Sequence, residues 1–142
     1  MNMNQFTQKS VAAIQRAQAI AVEYQHMQVD QEHLAAALIE DRAGLIPQLL
    51  GKMGVQVELL QKDVADALGR IPRVTGSGRE ADKVYISPDL EKALLEGEKQ
   101  AKQMKDEYLS VEHLWMGMAA KPNRAMQNVL RQHNYQADNN NE

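Results

Sequence analysis

Apolar residues recur every three or four positions along most of this chain, which is the spacing of one buried face of an α-helix. Near the amino terminus, Val11, Ile14, Ala17 and Ala21 follow this spacing soon after Thr7. The hydroxyl of Thr7 can accept hydrogen bonds from the free backbone N–H groups of a first helical turn. The pattern therefore predicts a first helix that begins at Thr7.

Similar signals predict six further helices. Small polar residues precede several of the apolar stretches and glycines follow two of them, as expected for the two ends of a helix. The second, third and fourth helices are expected at 31–40 after the cap Asp30, at 45–53 before a left-handed Gly54 and at 57–68 before Gly69. The fifth is expected to begin at Ser87-Pro88, with Leu90, Leu94, Ala101 and Met104 on its buried face. The sixth is expected after the cap Ser110 and the seventh at 123–132. The predicted fold class is all-α.

The chain repeats this pattern at a constant offset of 80 positions. The triplet Glu32-His33-Leu34 recurs as Glu112-His113-Leu114, and Thr7 is matched by Ser87. A fixed period of this kind is the mark of a duplicated supersecondary unit. We therefore expect a single domain over 1–142 that contains two pseudo-symmetric repeats of about four helices each, at about 4–68 and 86–142.

The stretch between the repeats has a different composition. Residues 69–85 contain Pro72, Gly76, Ser77 and Gly78, which predict a flexible linker. The repeat pattern also predicts a last helix from about Ala137, where the chain reads ADNNNE instead. We therefore expect the second repeat to lack most of its fourth helix, and the chain to be a piece of something longer.

Composition narrows the classes of function. The chain has 142 residues, no cysteine and a net charge of −3, with acidic and basic residues intermixed. This composition excludes thiol chemistry and argues against a dedicated nucleic-acid binder, which would show a basic stripe. The start of the chain does not resemble a signal peptide, and no apolar run approaches the ~18 residues of a membrane span. We expect a cytoplasmic protein that binds neither nucleic acid nor membrane.

The two Glu-His pairs are the only candidates for catalysis or metal binding. Consecutive residues of a helix point about 100° apart, so Glu32 and His33 do not share a face. An acidic residue in the first turn is favoured by the helix dipole. Phosphate-loop, nucleophile-elbow and dinucleotide-binding motifs are absent. The pairs therefore favour a structural role, and an enzyme that uses His33 and His113 is the alternative.

Exposed apolar residues offer a second route to function. Leu94 and Leu95 are adjacent, and adjacent residues cannot both face one narrow stripe of a helix. Some of this apolar surface is expected to form a groove that holds an extended peptide. The alternative is that helices bury both sides, since helix faces often bury a wide stripe.

The double repeat, the caps before Glu-His-Leu and the segment 67–76 (ALGRIPRVTG) together resemble the amino-terminal domain of the Clp/Hsp100 ATPases. The segment 84–90 (VYISPDL) is most similar to the ClpB-type protein disaggregases of that family. The resemblance covers nearly the whole chain, from Phe6 to about Asn134. It implies an all-α, non-enzymatic domain on top of a hexameric ATPase ring, with ATP and magnesium bound only in modules downstream.

The resemblance also implies partners and a site. The partners are unfolded or aggregated polypeptide, the ATPase ring of the same chain and a cooperating Hsp70 system. The implied substrate-binding residues are a polar trio, Thr7, Asp106 and Glu112, beside an apolar groove for which Leu94, Leu95 and Leu114 are the candidates. Thr7 and Glu112 lie in first helical turns, where capping and the dipole alone favour them. Asp106 is expected in a loop, where fewer structural reasons favour it, and is the clearer functional candidate.

Two alternatives stay open within this class. One is a ClpC- or ClpA-type domain that docks adaptors or marked substrates for a protease. The other is a purely structural hexamerisation domain. In each case function is expected where the copies differ, as with Asp106 opposite His26 and Leu95 opposite Gln15.

Overall fold

The computed structural model describes residues 3–74 and 84–135 of the chain. Seven α-helices and one single-turn 3-10 helix lie within these ranges. They are, in order, the 3-10 turn Met3–Gln5, α1 (Gln8–Glu23), α2 (Gln31–Ile39), α3 (Leu45–Lys52), α4 (Val57–Arg70), α5 (Pro88–Gln103), α6 (Val111–Ala120) and α7 (Arg124–Gln132). Two short strands, β1 (Gln28–Val29) and β2 (Tyr85–Ile86), complete the described elements. The predicted all-α class is confirmed.

The predicted helix starts are confirmed by the caps. The side chains of Thr7 and Ser87 accept hydrogen bonds from Ser10 N and Leu90 N, and Asn123 does the same for Met126 N. Asp30 and Ser110 precede α2 and α6, as predicted. Gly54 has φ +87°, the left-handed conformation predicted after α3. The polar residues before the apolar stretches thus mark where helices begin.

Gly69 does not end α4, so this prediction is wrong. The helix continues through Gly69 to Arg70, and Ile71 then turns to an extended conformation with ψ 129°. Ile71 precedes Pro72, and a residue before proline is disfavoured in helical conformation. The proline, rather than the glycine, therefore ends the helix.

Both ends of the predicted linker 69–85 lie in regular secondary structure. Gly69 belongs to α4, and Tyr85 lies in β2, which pairs in parallel with β1 in the register Gln28↔Tyr85 and Val29↔Ile86. The glycines at 76 and 78 and the predicted loss of a last helix after 137 lie outside the described residues.

A second backbone bridge repeats this pairing between equivalent positions of the two repeats. Phe6 forms a parallel bridge with Leu109, and these positions are the equivalents of Ile86 and Val29 at the offset of 80. The residue after Phe6 and the residue after Ile86 each donate a backbone hydrogen bond to the other repeat. Thr7 N donates to Leu109 O and Ser87 N donates to Val29 O, both at 3.0 Å. Each repeat is therefore tied to a loop of the other.

The two repeats differ in how closely their first two helices approach. A Cβ atom on Gly97 of α5 would lie 2.5 Å from the backbone oxygen of His113, and one on Gly117 of α6 would overlap the backbone of Ala93. The equivalent residues of repeat one are Ala17 and Ala37. Because backbone atoms cannot yield as flexible side chains do, the two glycines set the close contact of α5 with α6.

Buried aliphatic side chains from all seven helices form one core. Leu90, Leu94 and Ala101 lie in it, as predicted for α5, but Met104 is 52% exposed because the helix ends at Gln103 and the chain turns there. In repeat two, Trp115 and Tyr135 pack edge to face with their ring centres 5.9 Å apart. Within residues 3–74 and 84–135, no helix has both the length and the apolar character needed to cross a membrane.

The glycine contact gives a stability prediction. We expect Gly117→Ala to lower the free energy of unfolding by about 3 kcal/mol, because the added methyl group meets backbone and the helices must separate. Gly69→Ala is the matched control, since a Cβ there meets nothing within 4 Å. It should raise stability by about 0.5–1 kcal/mol, as alanine favours a helix over glycine. Urea unfolding of both variants measures the difference, and an equal effect of the two substitutions would contradict this packing.

Candidate functional site

The start of α6 gathers two of the three polar residues predicted for the site. Ser110 N donates a hydrogen bond to Nδ1 of His113 at 2.9 Å. The other ring nitrogen, Nε2, lies 2.9 Å from Oδ2 of Asp106, and the hydroxyl of Ser110 donates to Oε1 of Glu112. We call Asp106, Ser110, Glu112 and His113 the α6 cap cluster. It joins a loop carboxylate to the first turn of a helix.

Thr7 reaches the same region through the backbone. Its N–H donates to the carbonyl of Leu109, and its hydroxyl donates to Oγ of Ser10, which in turn donates to Leu109 O at 2.8 Å. Thr7 Oγ1 also accepts from Ser10 N at 3.1 Å. The Thr7 hydroxyl is therefore engaged locally as a helix cap, and Thr7 contributes to the site mainly by holding Leu109 beside the α6 cap cluster.

Asp106 has a structural partner that the sequence did not indicate. It lies in the loop after α5, as expected, but its carboxylate is hydrogen-bonded to His113, a ring that is almost fully buried. Asp106 therefore has more of a structural role than its position in a loop led us to expect. Its side chain is nevertheless 44% exposed, so the carboxylate also faces solvent.

The three apolar candidates separate into two groups. Leu94 and Leu114 are buried in the core, so neither presents a surface to a peptide in this conformation. Leu95 is 47% exposed. It shares a face of α5 with Glu98 and Lys102, which are three and seven positions further on. The predicted division of Leu94 from Leu95 between core and surface is what helical geometry requires.

A small cleft lies beside the α6 cap cluster. Its volume is about 50 Å³. Its walls are formed by the segment before α1, the end of α5 and the loop between α5 and α6, with the residues Gln5, Phe6, Glu98, Ala101, Lys102, Asp106, Glu107, Tyr108 and Leu109. Tyr108 is 58% exposed at its edge. The cleft therefore combines one exposed aromatic ring with charged groups of both signs.

Repeat one contains a counterpart of the α6 cap cluster with different chemistry. Asp30 N donates to Nδ1 of His33 at 2.9 Å, as Ser110 N does to His113. Nε2 of His33 lies 2.8 Å from Nδ1 of His26, the residue equivalent to Asp106. Both rings are buried. The offset of 80 aligns His26 with Asp106, but the sequence did not indicate that each of them contacts the histidine of its own cap.

Burial favours the neutral form of His33. Removal from water, together with the neighbouring His26, lowers the pKa of His33 to about 4. Since Nδ1 of His33 accepts from Asp30 N, the hydrogen of the neutral ring lies on Nε2 and is donated to His26. His33 and His113 therefore both complete helix caps, as the structural interpretation of the Glu-His pairs predicted.

Around the start of α2, a set of polar residues joins the two repeats. Asn123 donates from its backbone N to Oε1 of Gln31 at 2.8 Å and from Nδ2 to Oε1 of Glu32 at 2.7 Å. The hydroxyl of Ser87 donates to Oδ1 of Asp30 at 2.7 Å. We call Asp30, Gln31, Glu32, Ser87 and Asn123 the α2 hub. Burial raises the pKa of Glu32, and the hydrogen bond from Asn123 acts against that rise.

The α6 cap cluster has no equivalent of this amide partner. The position that matches Asn123 is Ala43, and the residue that caps α3 is Gly44, which has no side chain. Val111 stands where Gln31 does and cannot form its hydrogen bonds. Glu112 is accordingly half-buried, whereas Glu32 is buried. The geometry thus leaves the carboxylate of repeat two accessible.

A metal centre finds no support in this arrangement. No group of three potential metal ligands occurs among the residues that the structure describes. His33 and His113 lie in two separate caps, each with both ring nitrogens engaged.

Comparison with known proteins agrees with the presence of a repeat. The profile of the Clp repeat (R) N-terminal domain family matches residues 5–133. The chain belongs to this family. The Clp N domain of this chain is 38% identical over 133 residues to Chaperone protein ClpB of Bacillus anthracis, covering 94% of this chain and 15% of the relative. Identity to ClpB of Nitratidesulfovibrio vulgaris is 39% over 122 residues, or 86% of this chain and 14% of the relative.

This Clp N domain therefore spans about one seventh of the length of those relatives. Solved structures show the same fold at lower identity. The Hsp104 N-terminal domain from Candida albicans has a TM-score of 0.80 at 19% identity, covering 94% of this chain and 85% of that one. The N-domain of ClpV from Vibrio cholerae has a TM-score of 0.78 at 15% identity, covering 96% and 81%. The expected resemblance to the Clp/Hsp100 amino-terminal domains is confirmed.

The buried histidine pair makes the stability of this Clp N domain sensitive to acid. Unfolded His33 takes up a proton below about pH 6.5, while folded His33 does so only near pH 4, where its lowered pKa lies. The unfolded chain thus binds more protons in this window, and stability falls as the pH falls through it. A depression of this size corresponds to about 3 kcal/mol between pH 7 and pH 4.

The variant His26→Asp places an acidic neighbour beside His33, as Asp106 lies beside His113. An acidic neighbour favours the charged form of His33 and raises its pKa, so the variant should lose less stability than the wild type as the pH falls. Urea unfolding of both chains at pH 7 and pH 4.5 measures the difference between their losses. Equal losses in the two chains would show that the pair does not control the acid response.

Proposed function

We propose that this domain docks unfolded or aggregated polypeptide for an ATP-driven Hsp100 ring of the ClpB type. The names of the relatives at 38–39% identity support the ClpB type. The observation that carries the proposal is the difference between Glu32, which is closed by Asn123, and Glu112, which is accessible. A docking chain has backbone N–H groups and side-chain amides, and each can donate to Glu112 as Asn123 donates to Glu32.

Exposed apolar side chains on α5 and in the loop before α6 supply the second half of the interaction. Leu95 and Tyr108 are exposed and can cover apolar side chains of a docking segment. The contact is small, and an unfolded chain loses conformational entropy when it is held there. We therefore expect micromolar or weaker binding, which suits a domain that hands its substrate on. Six tethered copies would recover avidity through their effective concentration.

The remaining partners belong to the proposed whole protein. The domain acts on the ATPase ring of its own chain, and ATP and magnesium are used in that ring rather than here. Cooperation with an Hsp70 system and a cytoplasmic location are part of the same proposal. The domain itself docks substrate and catalyses no reaction.

One observation favours a second function, the docking of an adaptor or a defined partner peptide. Glu98, Lys102 and Glu107 line the cleft, and such charged walls suit a folded partner of complementary charge better than an apolar segment. A structure with the same fold and a TM-score of 0.72 is described as a complex of the ClpV N-domain with a VipB peptide. In this alternative a specific peptide docks on the charged surface around the cleft.

The main proposal predicts a loss of binding in Glu112→Gln. Replacing the carboxylate removes a charge-assisted acceptor, and the dissociation constant for a permanently unfolded test protein should rise roughly tenfold. Fluorescence anisotropy with reduced, carboxymethylated α-lactalbumin measures it on the 142-residue chain. Glu58→Gln in α4 is the control, since it removes the same charge from an exposed side chain in repeat one.

Two results would count against docking at Glu112. The first is an unchanged dissociation constant in Glu112→Gln, which would remove the carboxylate from the site. The second is an equal loss in Glu58→Gln, which would reduce the effect to net charge. A loss confined to charged peptides, with unfolded protein bound as before, would favour the adaptor alternative.

A further inference from the structure

His113 lies where the cap of α6 and the proposed docking site meet. The ring is 2% exposed and cannot itself touch a docking chain. One nitrogen, Nδ1, accepts from the backbone of Ser110, which fixes the hydrogen of the neutral ring on Nε2. That hydrogen is donated to Oδ2 of Asp106 at 2.9 Å. The orientation of a surface carboxylate thus depends on a buried ring.

The cap alone does not require this second contact. In repeat one, His33 completes the same cap, but its outer nitrogen meets the buried ring of His26. In repeat two, Asp106 occupies the position equivalent to His26. His113 therefore contacts a side chain at the surface, which is 44% exposed, instead of a second buried ring. The two repeats share the cap and differ in what the histidine holds.

We propose that His113 is a positioning residue for substrate docking, which holds the Asp106 carboxylate in one orientation. This inference rests on the proposed docking function. His113 engages Oδ2, and a carboxylate has a second oxygen that can accept a hydrogen bond from a docking chain. Through Ser110, whose hydroxyl donates to Glu112, the same cap also sets the second carboxylate of the site.

The benefit of this arrangement is pre-organisation. Asp106 follows Lys105, which has a left-handed backbone with φ 62°, in an exposed turn where a free side chain would sample several rotamers. Holding one rotamer before binding removes an entropic cost that a docking chain would otherwise meet. If the side chain is no longer held before binding, the dissociation constant should rise roughly threefold to tenfold.

Two substitutions of His113 separate the cap from the positioning role. The side-chain oxygen of asparagine lies near the place of Nδ1, so His113→Asn can keep the acceptor for Ser110 and loses the donor to Asp106. Glutamine is one carbon longer and its amide can reach the place of Nε2. We expect His113→Asn to weaken binding of the same unfolded test protein roughly threefold to tenfold, and His113→Gln to bind closer to the wild type.

His33→Asn is the matched control for the loss of a buried ring. It removes the equivalent histidine from repeat one, where no residue of the α6 cap cluster is involved. It should lower the melting temperature as His113→Asn does and leave the dissociation constant unchanged. If both asparagine variants weaken binding equally, the effect is one of stability and the positioning role of His113 is overturned.

A double-mutant cycle with Asp106→Ala tests the route of the effect. If His113 acts through Asp106, His113→Asn should have no further effect on binding in the Asp106→Ala background. Additive losses would overturn the inference while the docking site stands. Should His113→Asn not fold, His113→Ser, which likewise has no donor that reaches Asp106, takes its place in the cycle with Asp106→Ala. If Asp106→Ala and Glu112→Gln both bind as the wild type does, the docking function at this site fails instead.

Discussion

Two crossed backbone bridges determine the arrangement of this domain. Thr7 N donates to Leu109 O, and Ser87 N donates to Val29 O, each across to the other repeat. Thr7 and Ser87 cap α1 and α5, and the residues that follow Val29 and Leu109 cap α2 and α6. Each bridge thus fixes the start of one helix from each repeat. The bridges therefore also determine where the polar clusters at those helix starts lie.

The same positions hold different chemistry in the two repeats, and this difference is the basis of the docking proposal. At the start of α2, Asn123 closes the carboxylate of Glu32 and makes a buried joint between the repeats. At the start of α6, Ala43 replaces the amide, and the carboxylates of Asp106 and Glu112 keep contact with solvent. Because the repeats share one backbone arrangement, a few different side chains are enough to make the start of α2 a buried structural site and the start of α6 an accessible one.

Local features of the chain could be predicted from sequence because their causes are local. Helix caps such as Thr7, Asp30 and Ser87 act on the next turn, and the division of Leu94 from Leu95 follows from helical geometry. The predicted end of α4 at Gly69 is wrong because Pro72 disfavours helical conformation at Ile71 and so ends the helix at Arg70. The prediction that Met104 lies in the core is wrong because apolar spacing does not reveal where a helix ends.

The site depended on contacts that periodicity does not encode. The pair His26–His33, the bond between Asp106 and His113, and the reach of Asn123 to Glu32 join residues that are 7, 7 and 91 positions apart, and the last pair belongs to different repeats. The offset of 80 contained part of this information, since it aligns His26 with Asp106. What it could not supply was that both residues meet the histidine of their own cap.

The central claim is that docking uses the open cluster at α6 and not its closed counterpart at α2. Backbone amide chemical-shift mapping of the 142-residue chain, with the unfolded test protein added, tests it most directly. We expect shifts concentrated at residues 106–113 and around Leu95, with residues 26–33 nearly unchanged. Shifts spread equally over both cap regions, or confined to residues 26–33, would contradict it.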